Sequence, residues 1–217
     1  MTARSLVVVS AGLSQPSSTR LLADRLAAAT TGALHAAGVE VTVEVVELRD
    51  HARALVDHLL TRFPSPDLQA TIDRVLAADG LIVVTPVFNA SYSGLFKLFF
   101  DVLELDSLDG VPIVLGATGG STRHSLVLDH ALRPMFAYLG ALALPTGVYA
   151  AAEDWGRGGG DERSRESGLA ERIDRAGEEL ALAIAARART PVVDPFEAPP
   201  EFAALLRDAS TPGGEPD

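Results

Sequence analysis

The segment of residues 79–100 constrains the fold more than any other, because its pattern changes from strand to loop to helix. Residues 81–85 are a short apolar run with β-branched side chains, which is typical of a parallel strand buried on both faces. Pro86 has no backbone N–H, so we expect the strand to end there. Small polar residues follow, and apolar residues then recur at helical spacing over residues 95–99. The segment therefore predicts a central strand whose carboxyl end opens into a polar loop.

The same alternation of patterns continues along the chain. It predicts strands at residues 5–9, 39–48, 81–85, 111–116 and 141–151, and helices at residues 22–37, 49–78, 95–99, 125–138 and 169–184. Strands that alternate with helices indicate an α/β fold with a parallel sheet and helices on both faces. Five strands fit a doubly wound sheet in the flavodoxin-like order 2-1-3-4-5. In this order the loops after strands 1 and 3 meet at the ligand-binding edge.

Local features refine this fold. Val alternates with Glu or Thr over residues 39–48, which is typical of an edge strand with one exposed face. Pro134 falls inside a helical pattern and should kink or restart that helix. At 217 residues and 47% hydrophobic, the chain should form one domain, which we place at residues 1–190. We expect the glycine-rich loop 153–164 to be mobile and the Pro-rich tail 191–217 to be partly disordered.

The composition excludes several classes of protein. With no cysteine, the chain cannot form disulfides, thiolate nucleophiles, iron–sulfur clusters or cysteine-ligated zinc. A formal net charge of −11 would repel nucleic-acid phosphates and anionic lipids, so we predict neither a nucleic-acid nor a membrane partner. The longest apolar stretches are strand-sized and the N-terminus lacks a signal-peptide pattern, which favours a cytoplasmic location. The histidines fall in no metal-ligand spacing, and we predict no metal site.

The predicted loop after strand 1 is rich in hydroxyl groups. Ser17, Ser18 and Thr19 occupy the first turn of the following helix, where unpaired N–H groups and the helix dipole favour an anion such as phosphate. Alternatively, Ser17 or Ser18 only caps the helix. The loop has neither the Walker glycine–lysine pattern nor the three-glycine dinucleotide fingerprint, which argues against a P-loop kinase and an ordinary Rossmann dehydrogenase.

The predicted loops after strands 3 and 4 complete this edge of the sheet. Phe88 and Tyr92 offer aromatic surface for stacking, and the Asn89 amide can donate to and accept from the edge of a heterocycle. Gly119 and Gly120 allow a ligand to approach the backbone and its N–H groups closely. The alternatives are a turn with core aromatics for the first loop and an ordinary glycine turn for the second.

The loop after strand 3 carries a specific motif, since residues 86–97 read P-V-F-N-A-S-Y-S-G-L-F-K. This segment resembles the pattern P-E-Y-N-x-S-x-P-G-x-L-K of the NAD(P)H-dependent FMN reductases, a family of the flavodoxin-like superfamily, and the resemblance covers residues 5–150. The family pattern after strand 1, G-S-x-R-x-x-S-x-N, is matched less closely, since Gly12, Ser14 and Thr19 stand where serine, arginine and asparagine are usual. The TPVFNASYSGLFKLFFD version is most similar to reductases that supply reduced flavin to luciferase-like two-component monooxygenases.

The resemblance implies an enzyme that transfers a hydride from NADH or NADPH to N5 of FMN without a catalytic acid or base. Ser10, Ser17, Ser18 and Thr19 would hold the phosphate, residues 86–89 the isoalloxazine and ribityl chain, and residues 118–121 the pyrimidine edge. The FMN-binding residues implied in this way are Ser10, Leu13, Ser17, Ser18, Thr19, Pro86, Val87, Phe88, Asn89, Ala90, Thr118, Gly119, Gly120 and Ser121. The resemblance also implies a homodimer with FMN near the subunit interface.

Two further expectations concern partners. The aromatic residues near strand 3 offer more surface than one FMN can cover, so we expect at least a dimer. These residues are Phe88, Tyr92, Phe96, Phe99 and Phe100. No lysine accompanies the predicted phosphate site, so FMN should exchange and reduced FMN should pass to a monooxygenase. A quinone or azo-dye reductase, a flavodoxin-type electron carrier and a flavin-binding protein without turnover stay open as alternatives on the same fold.

Overall fold

A computed structural model describes residues 3–155 and 168–188 of the chain. The first of two units into which the chain divides, Met1–Arg187, contains all the described helices and strands. The predicted tail, residues 191–217, lies outside the described residues, as does most of the loop predicted to be mobile at residues 153–164. The proposed domain boundary near residue 190 therefore stays a prediction.

Strands and helices alternate along the described chain. The strands are β1 (Arg4–Ser10), β2 (Val41–Glu47), β3 (Gly80–Phe88), β4 (Ser91–Tyr92), β5 (Pro112–Gly119), β6 (Leu142–Ala143) and β7 (Val148–Ala151). The helices are α1 (Ser18–Ala36), α2 (Ala52–Thr61), α3 (Pro66–Leu76), α4 (Gly94–Asp101), α5 (Arg133–Tyr138) and α6 (Leu169–Ala186). Short 3-10 turns span Leu48–His51, Thr122–His124 and Ala152–Trp155, and a π-helical turn spans Leu128–Leu132.

The sheet has parallel strands in the order β2-β1-β3-β5-β6, and its central strands β1, β3 and β5 are buried on both faces over most of their length. Successive side chains of a strand point to opposite faces. Val7 and Val83 therefore enter a core with α2, α3, α4 and α5, whereas Leu6 and Ile82 pack against α1 and α6. The predicted α/β architecture, a parallel sheet with helices on both faces, is confirmed.

The predicted count of five strands in the order 2-1-3-4-5 was wrong. β3 does not end at Pro86 but continues to Phe88 and folds back as the antiparallel strand β4. β1 pairs with β3 only as far as Val84, so a proline beyond this point costs no ladder bond on the β1 side. On the other side, Pro86 keeps Thr118 of β5 as its parallel partner.

The predicted fifth strand is also interrupted, because β6 and β7 pair with β5 one after the other and the break contains Pro145. Two helices satisfy the polar groups of the break. The Arg133 guanidinium donates to the carbonyl oxygens of Leu144 at 3.0 Å and Pro145 at 3.2 Å. The Glu179 carboxylate of α6 accepts from the backbone N–H of Thr146 at 3.0 Å and from its hydroxyl at 2.6 Å. Distant side chains thus hold a strand break that no local pattern specifies.

Two other local predictions have different outcomes. The restart expected near Pro134 is confirmed, because a π-helical turn ends at Leu132 and α5 begins at Arg133 with the proline in its first turn. The edge position of β2 is also confirmed, since it pairs only with β1 in the described sheet. However, residues 42–45 are exposed on both faces and not on one, because the two cores centre on β1, β3 and β5.

The aromatic surface expected to require a partner lies mostly inside the single chain. Phe96 and Phe99 are fully buried, and Phe100 is nearly so. The Phe100 ring lies 4.8 Å from the rings of both Phe96 and Phe136, at tilted or edge-on angles that favour aromatic pairs. The argument for a dimer from these three phenylalanines was therefore wrong. Phe88, which is 47% exposed, keeps its surface in solvent.

Candidate functional site

The loops predicted to share a ligand do meet at one edge of the sheet. β1, β3 and β5 run in parallel, so their carboxyl ends lie on the same side. Ser10 at the end of β1 is paired with Val84 of β3, and Pro86 of β3 is paired with Thr118 of β5. β1 and β3 flank the point where the strand order reverses, which is where doubly wound sheets bind ligands.

The β1 loop, residues 11–17, is held by hydrogen bonds within itself and to its neighbours. Its first residue, Ala11, donates from its N–H to the carbonyl oxygen of Val84 at 2.9 Å. The Ser17 hydroxyl accepts from the N–H of Arg20 at 3.2 Å and so caps α1. The capping alternative therefore describes the Ser17 side chain. Ser10 is fully buried at the start of the loop, while Leu13 is 52% exposed.

Gly12 is required by the way the loop closes. A Cβ atom at this position would lie 2.2 Å from the Ser17 Oγ and 3.1 Å from the Ser17 Cβ. Any side chain would push the capping serine out of place, because real Cβ contacts are never this short. The departure from the usual serine at this point of the family pattern thus has a structural reason: the cap occupies the space that a side chain would need.

The first turn of α1 retains donors for an anion even though Ser17 caps it. The cap uses the N–H of Arg20, and the N–H of Leu21 bonds to the Ser17 carbonyl. The N–H groups of Ser18 and Thr19 precede these and have no acceptor one turn back in the helix. They point, with the positive end of the helix dipole, to the edge where the loops meet. This arrangement fits a phosphate group.

Thr19 and Thr118 are brought into direct contact, which the sequence did not indicate. Their hydroxyl oxygens lie 2.8 Å apart, and either group can be the donor. Both residues are buried, at 3% and 4% exposed. The bond joins the first turn of α1 to the end of β5, so the phosphate side and the pyrimidine side of the predicted site are linked through two side chains.

The hairpin, residues 87–92, ends in a strained and exposed turn. Val87 pairs with Tyr92 and Phe88 with Ser91, which leaves Asn89 and Ala90 as a two-residue connection. Their φ angles are 50° and 65°, as a type I′ turn requires. Asparagine tolerates this conformation, but it costs alanine about 1–2 kcal/mol.

The exposure of the turn bears on the alternative reading of this loop as a turn with core aromatics. Phe88, Asn89 and Ala90 are exposed, so the Phe88 ring is not a core residue. Tyr92 is half-buried and its ring centroid lies 6.2 Å from that of Phe96.

The base of the hairpin is tied to the core by a residue that sequence reasoning missed. The hydroxyl of Thr85, a fully buried residue, accepts from the N–H of Ser93 at 3.0 Å and donates to the carbonyl oxygen of Pro86 at 3.0 Å. The Ser93 hydroxyl in turn accepts from the N–H of Phe96 and caps α4. A fixed base therefore carries the exposed tip.

The β5 loop, residues 119–121, contains two glycines whose surroundings differ. A Cβ at Gly119 would lie 2.1 Å from the hydroxyl oxygen of Tyr149, whereas a Cβ at Gly120 would meet nothing within 4 Å. The Ser121 hydroxyl accepts from the N–H of Arg123 at 3.2 Å and caps a short turn. The space around Gly120 is therefore open, and Gly119 makes room for the Tyr149 ring.

The arginines beside the β1 loop are paired with carboxylates. Arg20 contacts Asp24 at 2.7 Å and Glu47 at 2.6 Å, and the hydrogen bond with Asp24 is the main cause that raises the pKa of Arg20 above its usual value. Arg49 contacts Glu47 at 3.0 Å and donates to the carbonyl oxygen of Ser14 at 3.3 Å. The carboxylates thus largely neutralise the positive charges of Arg20 and Arg49.

Two other classes of site are absent from residues 3–155 and 168–188. No group of three histidine, aspartate or glutamate side chains is placed to hold a metal ion. No described helix is long and apolar enough to cross a membrane.

A doubly wound parallel sheet with a helix N-terminus, an aromatic hairpin and a glycine loop at its switch point defines a flavodoxin-like nucleotide-binding protein. Residues 4–156 match the family described as NADPH-dependent FMN reductase, and the chain belongs to this family. The resemblance inferred from residues 86–97 is thereby confirmed.

Curated relatives carry the same activity in their names. The chain is 41% identical over 150 residues to an FMN reductase (NADPH) of Pseudomonas aeruginosa, an alignment that covers 69% of this chain and 78% of the relative. It is also 41% identical over 150 residues to the NADH-dependent FMN reductase SfnF of Pseudomonas fluorescens, with the same coverage of 69% and 78%. The names of these two relatives give different nucleotides, NADPH and NADH, although both relatives are 41% identical to this chain.

Solved structures agree in fold. An oxidoreductase from Corynebacterium diphtheriae is 46% identical with a TM-score of 0.80, over 86% of this chain and 99% of that one. The apo form of the NADH:FMN oxidoreductase EMOB is 30% identical with a TM-score of 0.68, over 82% and 90% of the two chains.

The protein is therefore an oxidoreductase that uses FMN and a nicotinamide dinucleotide. The predictions of family, enzyme class and cofactors are confirmed. The donors at the first turn of α1 and the open space at Gly120 fit the phosphate and the ring of this cofactor. The individual FMN contacts of the residues predicted above stay predictions.

Proposed function

We propose that this reductase uses FMN as an exchanging substrate and supplies reduced FMN to a separate two-component monooxygenase. The observation that carries the proposal is the pairing of Arg20 with Asp24 and Glu47 and of Arg49 with Glu47. A phosphate at the start of α1 would then be held by neutral N–H groups and hydroxyls, whose bonds are weaker than those of a free cation. Weak retention favours release, which an electron carrier cannot tolerate.

The chain's own residues would bind and orient the two substrates. The N–H groups of Ser18 and Thr19 would hold the phosphate, the hairpin would contact the ring system, and the β5 loop would offer backbone groups to the pyrimidine edge. When bound, FMN supplies the chemistry by accepting a hydride from the nicotinamide at N5. The protein has to align two rings and exclude water, and no side chain is needed as an acid or base.

Space for the nicotinamide is best supplied by the tip of the hairpin. Ala90 and Gly94 are both small and exposed, and a Cβ at Gly94 would meet nothing within 4 Å. Ser93, which lies between these two residues in the sequence, is 1% exposed and caps α4. It is a structural residue and does not line this space.

A quinone or azo-dye acceptor is the second candidate. The observation in its favour is Phe88, whose ring is 47% exposed at the ligand edge and could stack on a flat acceptor. Such an acceptor would take electrons from FMN that stays on the protein. The two functions therefore differ in whether the flavin leaves.

A dialysis-coupled assay separates them. Enzyme, NADH or NADPH and catalytic FMN are placed anaerobically on one side of a membrane, with an FMN-dependent oxygenase such as a bacterial luciferase on the other side. We expect oxidation of the nicotinamide and, once oxygen is admitted, product on the oxygenase side. FMN that co-migrates with the protein through repeated filtration, with no product across the membrane, would contradict the proposal and favour the bound-flavin reductase or carrier.

We further infer that a second copy of the chain covers a groove next to the hairpin, as the family resemblance implied. The groove lies between α4 and α5, has a volume of about 490 Å³ and includes Tyr92 of β4 in its wall. Leu105 and Tyr138 at this groove are 57% and 73% exposed. Because Tyr92 also belongs to the hairpin, a partner seated here would lie next to the flavin site.

Light scattering tests this interface. We expect twice the chain mass for the unmodified protein and a monomeric mass for Tyr138→Glu, because the added charge would be buried in the interface. Leu182→Glu is the matched control, since Leu182 is 72% exposed on α6 at the other face of the sheet. A monomeric mass for the unmodified protein would refute the interface.

A further inference from the structure

We propose that Tyr149 is a positioning residue that fixes the β5 loop in the conformation that receives FMN. The inference rests on the proposed placement of this loop at the pyrimidine edge. Tyr149 lies on β7, which no pattern in the sequence connects with the ligand edge. Its ring is 3% exposed and belongs to the core on the α2–α5 side of the sheet.

The tyrosine reaches the loop through one strong contact. Its hydroxyl donates to the carbonyl oxygen of Ser121 at 2.6 Å. This length is within the usual range for O–H···O bonds, and a buried tyrosine hydroxyl needs such a partner. β7 is paired with β5 from Val148 to Ala151, so the ring is anchored to the strand from which the loop emerges.

The loop is also shaped around the phenol. The Cβ that any other residue would carry at Gly119 falls 2.1 Å from the Tyr149 hydroxyl oxygen and 3.2 Å from the Cζ atom. The backbone of the loop therefore rests directly on the end of the ring. Gly120, one residue on, is exposed and has open space around it, so the opposite side of the loop is accessible to a ligand.

Ser121 completes the loop from the other end. Its carbonyl oxygen is engaged by Tyr149, and its hydroxyl accepts from the N–H of Arg123. The carbonyl and hydroxyl oxygens of Ser121 thus both hold the loop. The Ser121 O–H can still donate, so a flavin could meet this hydroxyl as well as the backbone of Gly119 and Gly120.

The phenol stays a donor at neutral pH. Burial raises the pKa of Tyr149, and the nearby Asp154 carboxylate raises it further. Asp154 itself accepts from the N–H of Ala151 at 2.8 Å and lies 3.6 Å from Arg172, so it is fixed in place. The Tyr149 hydroxyl is therefore protonated at neutral pH and can donate to the loop.

The test removes only the hydroxyl. Tyr149→Phe keeps the ring in the core, and Thr42→Val is the matched control because the Thr42 hydroxyl also donates to a backbone carbonyl, that of Arg4, at 3.2 Å. Thr42 lies on the exposed edge strand β2. Dissociation constants for FMN and for riboflavin are measured by flavin fluorescence, together with thermal unfolding of each variant.

We expect Tyr149→Phe to weaken FMN and riboflavin by the same factor of about ten, because the loss lies at the ring and not at the phosphate. The ratio of the two constants should stay that of the unmodified protein, while Thr42→Val changes neither constant by more than about twofold. Unchanged affinities in a folded Tyr149→Phe protein would overturn the proposal. A loss confined to FMN would overturn it too, since the phosphate site would then be affected. Absence of FMN binding by the unmodified protein would instead count against the proposed function.

A second variant keeps the proposal testable if Tyr149→Phe does not fold. Gly119→Ala forces the loop away from an intact tyrosine and should weaken both flavins by at least the same factor. Unchanged affinities in Gly119→Ala would overturn the proposal. Where Tyr149→Phe does fold, the double variant Gly119→Ala with Tyr149→Phe should bind better than the product of the single effects predicts, because removal of the hydroxyl makes room for the new methyl group. Additive effects would show that ring and loop are not coupled and would overturn the proposal.

Discussion

The β1 loop and the hairpin lie side by side at the ligand edge, yet they are built in opposite ways. The β1 loop is closed by its own groups: Ser17 caps α1 and its hydroxyl fills the space over Gly12. The tip of the hairpin is exposed and holds Asn89 and Ala90 at positive φ. One loop is preorganised by satisfied contacts, and the other stores backbone strain where a ligand would arrive.

Because of this difference, we expect the two loops to respond differently to substitution. The β1 loop should lose flavin affinity when its internal packing is disturbed, even by one methyl group. The hairpin should gain stability when its strain is relieved. Four predictions test this contrast, in order of expected effect.

The largest effect is expected for Gly12→Ala. The methyl group would displace the Ser17 hydroxyl, which lies 2.2 Å from the ideal Cβ, and remove a cap worth about 1 kcal/mol. The displaced first turn would also misalign its donors, each worth roughly 1.5–3 kcal/mol toward a charged group, so FMN should bind about 10- to 100-fold more weakly. Isothermal titration measures this.

Gly32→Ala is the control for Gly12→Ala, since Gly32 lies within α1 and a Cβ there would meet nothing within 4 Å. It should leave FMN binding intact and stabilise the helix by about 1 kcal/mol. Equal FMN affinity for both alanine variants would mean that the β1 loop adapts and is not preorganised.

The second prediction concerns the bond between the loops. Thr118→Val removes one hydroxyl of the buried pair and leaves the Thr19 hydroxyl without its partner, which should cost about 1–3 kcal/mol of unfolding free energy. The double variant Thr19→Val with Thr118→Val should lose less than the sum of the single variants, because no unpaired hydroxyl remains. Urea unfolding of the four proteins measures the coupling.

Thr30→Val is a useful comparison for the threonine pair. The Thr30 hydroxyl is buried in the same helix but donates to the Leu26 carbonyl, which already belongs to the helix ladder. Its loss should therefore cost less than that of Thr118. A larger loss for Thr30→Val would show that the Thr19–Thr118 bond contributes little beyond ordinary burial.

The same contrast explains what the sequence could and could not predict. The buried strands β1, β3 and β5 have local signals in their β-branched runs, and the parallel topology then places their loops together. The contacts of Thr19 with Thr118 and of Tyr149 with Ser121 join residues far apart in the chain, and no local pattern encodes them. Sequence reasoning therefore finds which loops form the site and misses what holds them.

The strand break between β6 and β7 resembles the β1 loop in being held by protein hydrogen bonds. Side chains from other elements bond the carbonyl oxygens of Leu144 and Pro145 and the N–H of Thr146. Burial alone would raise the pKa of Glu179, but hydrogen bonds from Thr146 and Arg175 outweigh it and lower the pKa. A lowered carboxyl pKa stabilises the fold at neutral pH, and this contribution is lost as the pH falls through the folded-state pKa.

The third prediction follows from that sign. Glu179→Gln should cost about 1 kcal/mol at neutral pH, since neutral hydrogen bonds replace charge-assisted ones, and the difference from the unmodified protein should shrink as the pH falls toward the folded-state pKa. Thermal unfolding across an acid series measures it. If the difference in stability between the two proteins grows on acidification, the Glu179 carboxylate does not stabilise the strand break.

The smallest effect is expected for Ala90→Gly, and it has the opposite sign. Relief of the left-handed conformation should return about 1–2 kcal/mol, from which the greater chain entropy of glycine subtracts about 0.5–1 kcal/mol, so the melting temperature should rise by about 2 °C. Arg62→Gly is the control, because Arg62 has φ 67° at the end of α2, away from the ligand edge.

Flavin titration then decides what the strain at Ala90 is for. Both glycine variants should be stabilised, but only Ala90→Gly should bind FMN more weakly, because the freed backbone no longer fixes Phe88 and Asn89 against the ring. If both variants are stabilised and their FMN affinity is unchanged, the strain at the hairpin tip has no role in flavin binding. The two loops would then differ in how they are built and not in what they do.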